Sequence, residues 1–149
     1  MNVASLQPSP SPSRTLTELD HIRITNLLRH PASRAGSLSN GAAPAVHEVI
    51  DAADLVSSHE VAPNVVTMYS QVLIADGQTG EQRKLTLCYP HDAEPAAGFV
   101  SVLSPAGAGL LGLSVGQVAR WTMPQGGGQA SAEILALLFQ PEDSGDYLL

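Results

Sequence analysis

Val102-Leu-Ser104-Pro105-Ala-Gly107-Ala-Gly109-Leu110-Leu111-Gly112-Leu-Ser-Val-Gly116 is the stretch on which the fold turns. Serine is a favoured N-cap and proline suits the first helical position, so a strand ending near Leu103 hands over to a short helix that stops at Gly112. The same residues spell G-x-G-x-x-G, with Glu133 about 20 residues further on. A dinucleotide site would need a helix of about three turns and then a parallel strand ending at that acid. Here Gly112 and Gly116 interrupt the helix after about two turns, and Glu133 opens the last strand instead of closing the second. The glycines read as positions that let a small helix pack closely on a sheet.

Outward from this corner, the chain after Pro63 has a period of two. Val65 to Ile74 is β-rich, Asp76-Gly-Gln-Thr-Gly80 is turn chemistry, and Lys84 to Tyr89 completes a hairpin. Pro90 to Gly98 is a polar loop and Phe99 to Leu103 a third strand. Val118 to Met123 and Ala132 to Phe139 are two more, joined through Gly126-Gly127-Gly128. That triplet is followed by Gln129, not by Lys and Ser/Thr, so it is a hairpin loop and not a phosphate cradle.

Upstream, residues 1–14 alternate serine with Pro8, Pro10 and Pro12 and have no periodic apolar stripe, which predicts a disordered tail. A polyproline ligand is the sharper alternative. Thr15 with Glu18 fits a capping box, and Leu16, Leu19, Ile22, Leu27 and Leu28 follow at helical spacing until Pro31. A second helix starts near Pro44, with Val46, Val49, Ile50 and Ala53 on one face and Glu48, Asp51 and Asp54 on another. The two helices read as an antiparallel pair.

Composition narrows the function. The 149 residues are 44% apolar and carry a net charge of −7, with 7 Lys+Arg against 14 Asp+Glu, which lacks the basic footprint of a nucleic-acid backbone binder. The single Cys88 excludes an internal disulfide framework, and beside Leu87 and Tyr89 it reads as a core residue. The six apolar residues Ile134 to Phe139 fall far short of the ~18 of a membrane span, and the N-terminus has no apolar signal region. His47 and Asp51 lie at i, i+4 but read as a solvated helix face, and the remaining histidines show no ligand spacing. No G-x-S-x-G elbow occurs. The expectation is a cytoplasmic protein with no catalytic residue, no metal and no cofactor.

Several motifs in order resemble the C-terminal domain of the Gre transcript-cleavage factors. They are Val66-Thr-Met68, Gly80-Glu81, Leu87 with Tyr89-Pro90, Val102-Leu-Ser-Pro105, Gly107, Leu110-Leu-Gly-Leu113, Val115-Gly116, Trp121, Pro124, Gln140-Pro-Glu142, Gly145-Asp-Tyr147 and Leu149. In detail the chain is closer to the short Rnk group of that family, which is named for regulating nucleoside diphosphate kinase. Tyr69 stands where Asn is usual, Gln117 where Asp is usual, and Gly109 where Ala is usual.

The resemblance implies an α+β fold: a short antiparallel helical hairpin over residues 15–60, then an FKBP-like antiparallel sheet wrapped on one short helix over residues 61–149. It implies bacterial RNA polymerase as partner, bound near the rim of the secondary channel. In the Gre factors a longer hairpin carries acidic residues at its tip to the active-site magnesium. Here there is no Asp or Glu between Asp20 and Glu48, so a tip at about His30 to Pro44 has no carboxylate to hold a metal or orient water. The first helix, at about 15 residues, would be only ~22 Å long.

The expected function is therefore a non-enzymatic, monomeric regulator that binds the polymerase, influences elongation and competes with Gre factors without stimulating cleavage. The docking candidates carried over are Ser104, Pro105, Leu110 and Leu111, the leucines being read first as packing under the short helix. A direct regulator of nucleoside diphosphate kinase and an FKBP-like prolyl isomerase are the alternatives.

Overall fold

A computed structural model describes residues 13–29, 43–123 and 128–145. The tail (residues 1–12), most of the expected hairpin tip, two of the three loop glycines and the last four residues lie outside them.

The first described element is not the start of a helix. Thr15–Thr17 forms a short strand, β1, and α1 runs from Glu18 to Arg29. The cap sits two residues later than the capping box placed it: Thr17 Oγ1 accepts from the Asp20 backbone N–H at 3.0 Å. The buried face of α1 is also rotated from the expected stripe. Asp20, Ile24 and Leu28 are buried at spacing four, while Ile22 is 57% exposed. Helix α2 spans Ala43–Ala52 and buries Val46, Val49 and Ile50. It is followed by β2 (Asp54–Val56), which pairs parallel with β1, Thr15 opposite Asp54 and Thr17 opposite Val56.

A five-stranded sheet forms the remainder: β3 (Gln71–Asp76), β4 (Gln82–Cys88), β5 (Phe99–Ser101), β6 (Val118–Thr122) and β7 (Gln129–Phe139), in the order β5-β4-β3-β7-β6. The turn chemistry of residues 76–80 does close a hairpin between β3 and β4. Asp76 Oδ1 accepts from the backbone N–H groups of Gln78 and Thr79 at 2.8 and 3.0 Å. The sheet is mixed, which corrects the all-antiparallel expectation. β4 and β5 run parallel, because residues 89–98 carry the chain back past β4 through two 3-10 turns, each opened by a proline, instead of reversing it tightly.

Residues 65–70 are not strand either. They fold into a turn in which Ser70 Oγ accepts from the Thr67 N–H at 2.9 Å, and Tyr69 adopts a left-handed backbone (φ +65°). No other non-glycine among the described residues has a positive φ.

The short helix α3 (Pro105–Leu110) lies against β4, β5 and β6 and forms the middle of the core with Leu16, Ile24, Val46, Met68, Leu87, Leu113 and Ile134. Burial of that many large aliphatic side chains, about 1.5–3 kcal/mol each, is the main force holding the helical and sheet parts together.

Candidate docking corner and its surroundings

The turn from β5 into α3 is tightly specified. Ser104 has an extended backbone (φ −76°, ψ 157°), and its Oγ accepts from the Gly107 N–H at 3.1 Å while donating to the Ser101 carbonyl at 2.6 Å. One hydroxyl thus caps the helix and ties it back to the strand it left. Pro105 follows at the first helical position, where its missing N–H leaves no lost bond. Gly107 is required by contact: a Cβ there would overlap the Ser101 carbonyl oxygen. The G-x-G-x-x-G match is accounted for by packing.

Ser104 and Pro105 are half-buried, and Leu110 and Leu111 beneath them are fully buried, so the leucines shape the corner without facing solvent. An apolar groove of about 430 Å³ opens beside the corner, lined by Pro95, Val100, Ser104, Pro105, Trp121 and Met123 among others.

The far end of α3 is held by a residue that the sequence did not single out. Arg14 Nη1 donates to the carbonyls of Ala108, Gly109 and Leu111 at 3.0, 3.2 and 2.7 Å, satisfying groups that a helix end leaves free. Burial pulls its guanidinium below the usual value. Gly112, at φ +80°, lets the backbone turn under Arg14, where a Cβ would come within 3.1 Å of the Thr15 carbonyl oxygen. The Thr15 N–H then donates to the Gly112 carbonyl at 2.9 Å.

A second polar cluster joins three distant segments and was also missed. Asp20, 1% exposed on α1, accepts from the Met68 N–H at 3.1 Å. Glu142, in the Gln140-Pro-Glu142 motif, accepts from Thr67 Oγ1 at 2.7 Å, and Thr67 also bonds Ser70 Oγ at 2.9 Å. Burial, reinforced by the nearby Glu142 carboxylate, pushes Asp20 up to about 6. The sequence signal was the i, i+4, i+8 frame Asp20-Ile24-Leu28, which a search for apolar residues alone passes over. Gln140 anchors the same segment, its Nε2 donating to the carbonyls of Ala62 and Val65 at 2.8 Å each.

The remaining candidates stay apart. Cys88 is buried beside Val100, and burial pushes its thiol up to about 11, which fits a packing residue and not a nucleophile. His47 and Asp51 are exposed on α2, and among the described residues no three metal-type side chains converge. Tyr69 donates its hydroxyl to Asp92 at 2.6 Å and meets the Tyr89 ring edge-on at 5.7 Å. That contact occupies the position where the resemblance expects Asn, a residue better suited to a left-handed backbone.

Residues 60–138 match the sequence family described as "Transcription elongation factor, GreA/GreB, C-term". The "Regulator of nucleoside diphosphate kinase" of Escherichia coli K12 is 39% identical over 138 residues, covering 93% of this chain and 98% of that protein. The "Transcription elongation factor GreA" of Flavobacterium johnsoniae is 37% identical over 81 residues, 54% of this chain and 51% of that one. Among solved structures, a "Prokaryotic transcription elongation factor GreA/GreB" from Nitrosomonas europaea superposes with a TM-score of 0.62 at 29% identity, over 87% of this chain and all of that one. A mixed sheet around a capped short helix, the sequence match to that sheet and a similar solved structure agree: the chain belongs to the GreA/GreB C-terminal domain family of transcription elongation factors.

Proposed function

We propose that this protein is a regulator that binds bacterial RNA polymerase at the rim of its secondary channel, influences elongation and competes with Gre factors without stimulating transcript cleavage. The observation that carries the docking half is the Ser104–Pro105 corner, rigidly capped, half-exposed and flanked by an apolar groove, within a family of transcription elongation factors. Ser104 and Pro105 would meet the polymerase, with Leu110 and Leu111 holding the corner in shape from below. The absence of any carboxylate between Asp20 and Glu48 supports the other half, since metal-assisted cleavage needs acidic oxygens at the tip.

In this reading residues 15–60 act as a short helical hairpin on an FKBP-like unit of residues 61–149, and the protein works as a cytoplasmic monomer without catalysis of its own. The regulator from Escherichia coli is named for an effect on nucleoside diphosphate kinase; on this proposal such an effect runs through transcription.

The test is co-purification with bacterial core polymerase, followed by competition with a Gre factor in a cleavage assay on stalled complexes. Binding, displacement of the Gre factor and no cleavage by this protein alone are expected. No binding at micromolar concentration overturns the proposal. So does a change in kinase turnover when purified kinase is titrated with this protein in the absence of polymerase.

A further inference from the structure

Tyr69 holds a left-handed backbone (φ +65°), a conformation that is costly for a bulky residue and persists only where its surroundings impose it. On the body side those surroundings are rigid. Its neighbours Met68 and Ser70 are fully buried, the Tyr69 N–H donates to the Leu87 carbonyl at 2.6 Å, and the Leu87 N–H donates to the Ser70 carbonyl at 3.1 Å. The turn is thus fastened to β4, and the Tyr69 side chain reaches the loop that follows this strand. Its hydroxyl donates to Asp92 Oδ2 at 2.6 Å, and its ring meets Tyr89 edge-on. Burial and the Asp92 carboxylate push that hydroxyl above its usual value, so it remains a donor throughout the physiological range. His91 stacks on Tyr89 and approaches the same Asp92 oxygen at 3.4 Å.

The loop on the other side of this bond has little else to fix its course. Residues 91–97 are all exposed, so packing into the core does not hold them. Two 3-10 turns and the pairing of Glu94 with Phe99 shape the loop, but those bonds stay within the loop and β5. The bond from Tyr69 reaches it from outside. Within the loop, Ala93 and Pro95 line the groove together with Ser104 and Pro105.

We propose that Tyr69 is a positioning residue for the Ser104–Pro105 corner: through Asp92 it holds the 91–97 loop as the wall beside that corner. A turn outside the docking surface thereby sets the shape of that surface. The strained backbone is the means. With the Tyr69 N–H kept on Leu87, an ordinary negative φ would turn the Cα–Cβ bond away from Asp92. The part played in docking rests on the polymerase reading above; the tie itself does not.

Tyr69→Phe removes the hydroxyl and keeps the ring. Amide hydrogen exchange of the full chain should quicken about 3- to 10-fold at Asp92, Ala93, Glu94 and Phe99, as expected for loss of one hydrogen bond to a charged, partly exposed group. Exchange at Val66 and Ile134, whose bonds lie in the core, should stay as it was. Asp92→Ala should act like Tyr69→Phe, whereas Asp92→Asn keeps an accepting oxygen and should restore most of the protection. The double variant with Tyr69→Phe and Asp92→Ala should quicken exchange no further than either single change. Unchanged exchange in the loop, a change spread equally over the core amides, or additive effects in the double variant overturns the tie. The Tyr69→Phe chain should then bind core polymerase about threefold or more weakly, with Asp92→Asn close to the wild type. A loosened loop with undiminished affinity overturns the positioning role. A wild-type chain that binds no polymerase overturns the docking reading, while the exchange series still decides whether Tyr69 holds the loop.

Discussion

Asp20→Asn should make the protein more stable, although it alters a residue that makes a buried hydrogen bond. The carboxyl is 1% exposed, sits near the Glu142 carboxylate and has its folded value raised from 3.8 to about 6. A raised carboxylate favours the folded state in its protonated form. Its contribution is present below the unfolded value near 3.8 and is lost as pH rises through about 6, because the unfolded chain releases the proton first. Two units at 1.36 kcal/mol each set the full penalty for the charge at about 3 kcal/mol. Asparagine keeps an oxygen to accept the Met68 N–H and presents an amide instead of a second charge. Stability at pH 7.5 should therefore rise by about 1–3 kcal/mol, or roughly 2–4 °C in Tm for each kcal/mol at this chain length. Urea unfolding followed by Trp121 fluorescence from pH 4 to 8 measures it. The wild type should weaken from pH 4 to 6.5 more steeply than the variant. A variant less stable at pH 7.5, or one with the wild-type pH slope, refutes the argument.

Gly107→Ala should destabilise by about 2–3 kcal/mol, since the new methyl meets backbone and not a flexible side chain, and thermal melting would show it. Arg14→Ala should lose about 1–3 kcal/mol by leaving carbonyls of the helix end unpaired, and Arg14→Lys should recover only part because one ammonium cannot reproduce the fork. Ser104→Ala removes a cap and a strand tie and should lose about 1 kcal/mol in the same melt. Cys88 should react with an aromatic disulfide reagent at pH 8 only at the rate of unfolding, because its thiol is both buried and pushed up to about 11. Rapid modification of the folded protein would contradict that.

How much of this was legible in the sequence depended on whether the signal was local. Ser104-Pro105 carries its cap chemistry in two adjacent residues, and Asp76 to Gly80 carries its turn, so both were readable where they stand. The β-prone, apolar-rich runs that marked β3, β4, β6 and β7, bounded by turn residues, are likewise local. β1 and β2 were not visible because each is three residues long and exists only through its partner 39 positions away, Thr15 opposite Asp54. The α1 face was misjudged because burial there follows a polar residue, Asp20, whose hydrogen-bond donor Met68 and neighbouring carboxylate Glu142 come from elsewhere in the chain. Residues 65–70 looked like strand because Val-Val-Thr-Met-Tyr is β-prone; the Thr67–Ser70 bonds and the left-handed Tyr69 override that preference. At the proposed docking corner, the Ser104–Pro105 cap was readable from the sequence, whereas the Arg14 contacts and the groove walls were not. Arg14 is separated by more than 90 residues from the carbonyls it holds, and no single-sequence pattern encodes that distance.

The three-residue ladder between β1 and β2 also bears on how such a chain can change over evolutionary time. Everything from Glu18 to Ala53 leaves and returns at one clamped base, Thr15 opposite Asp54 and Thr17 opposite Val56. Lengthening the excursion beyond that clamp leaves the Arg14 and Gly112 contacts on the core side untouched, and each doubling of a flexible connection costs only about 0.6 kcal/mol in closure entropy. Residues added between Leu28 and Val46 would spare the buried Ile24, Leu28, Val46, Val49 and Ile50, whereas changes that reach those side chains would cost core packing. The same body could be fitted with projections of different length and charge, so that reach becomes the variable on which selection acts while the anchored half remains constant.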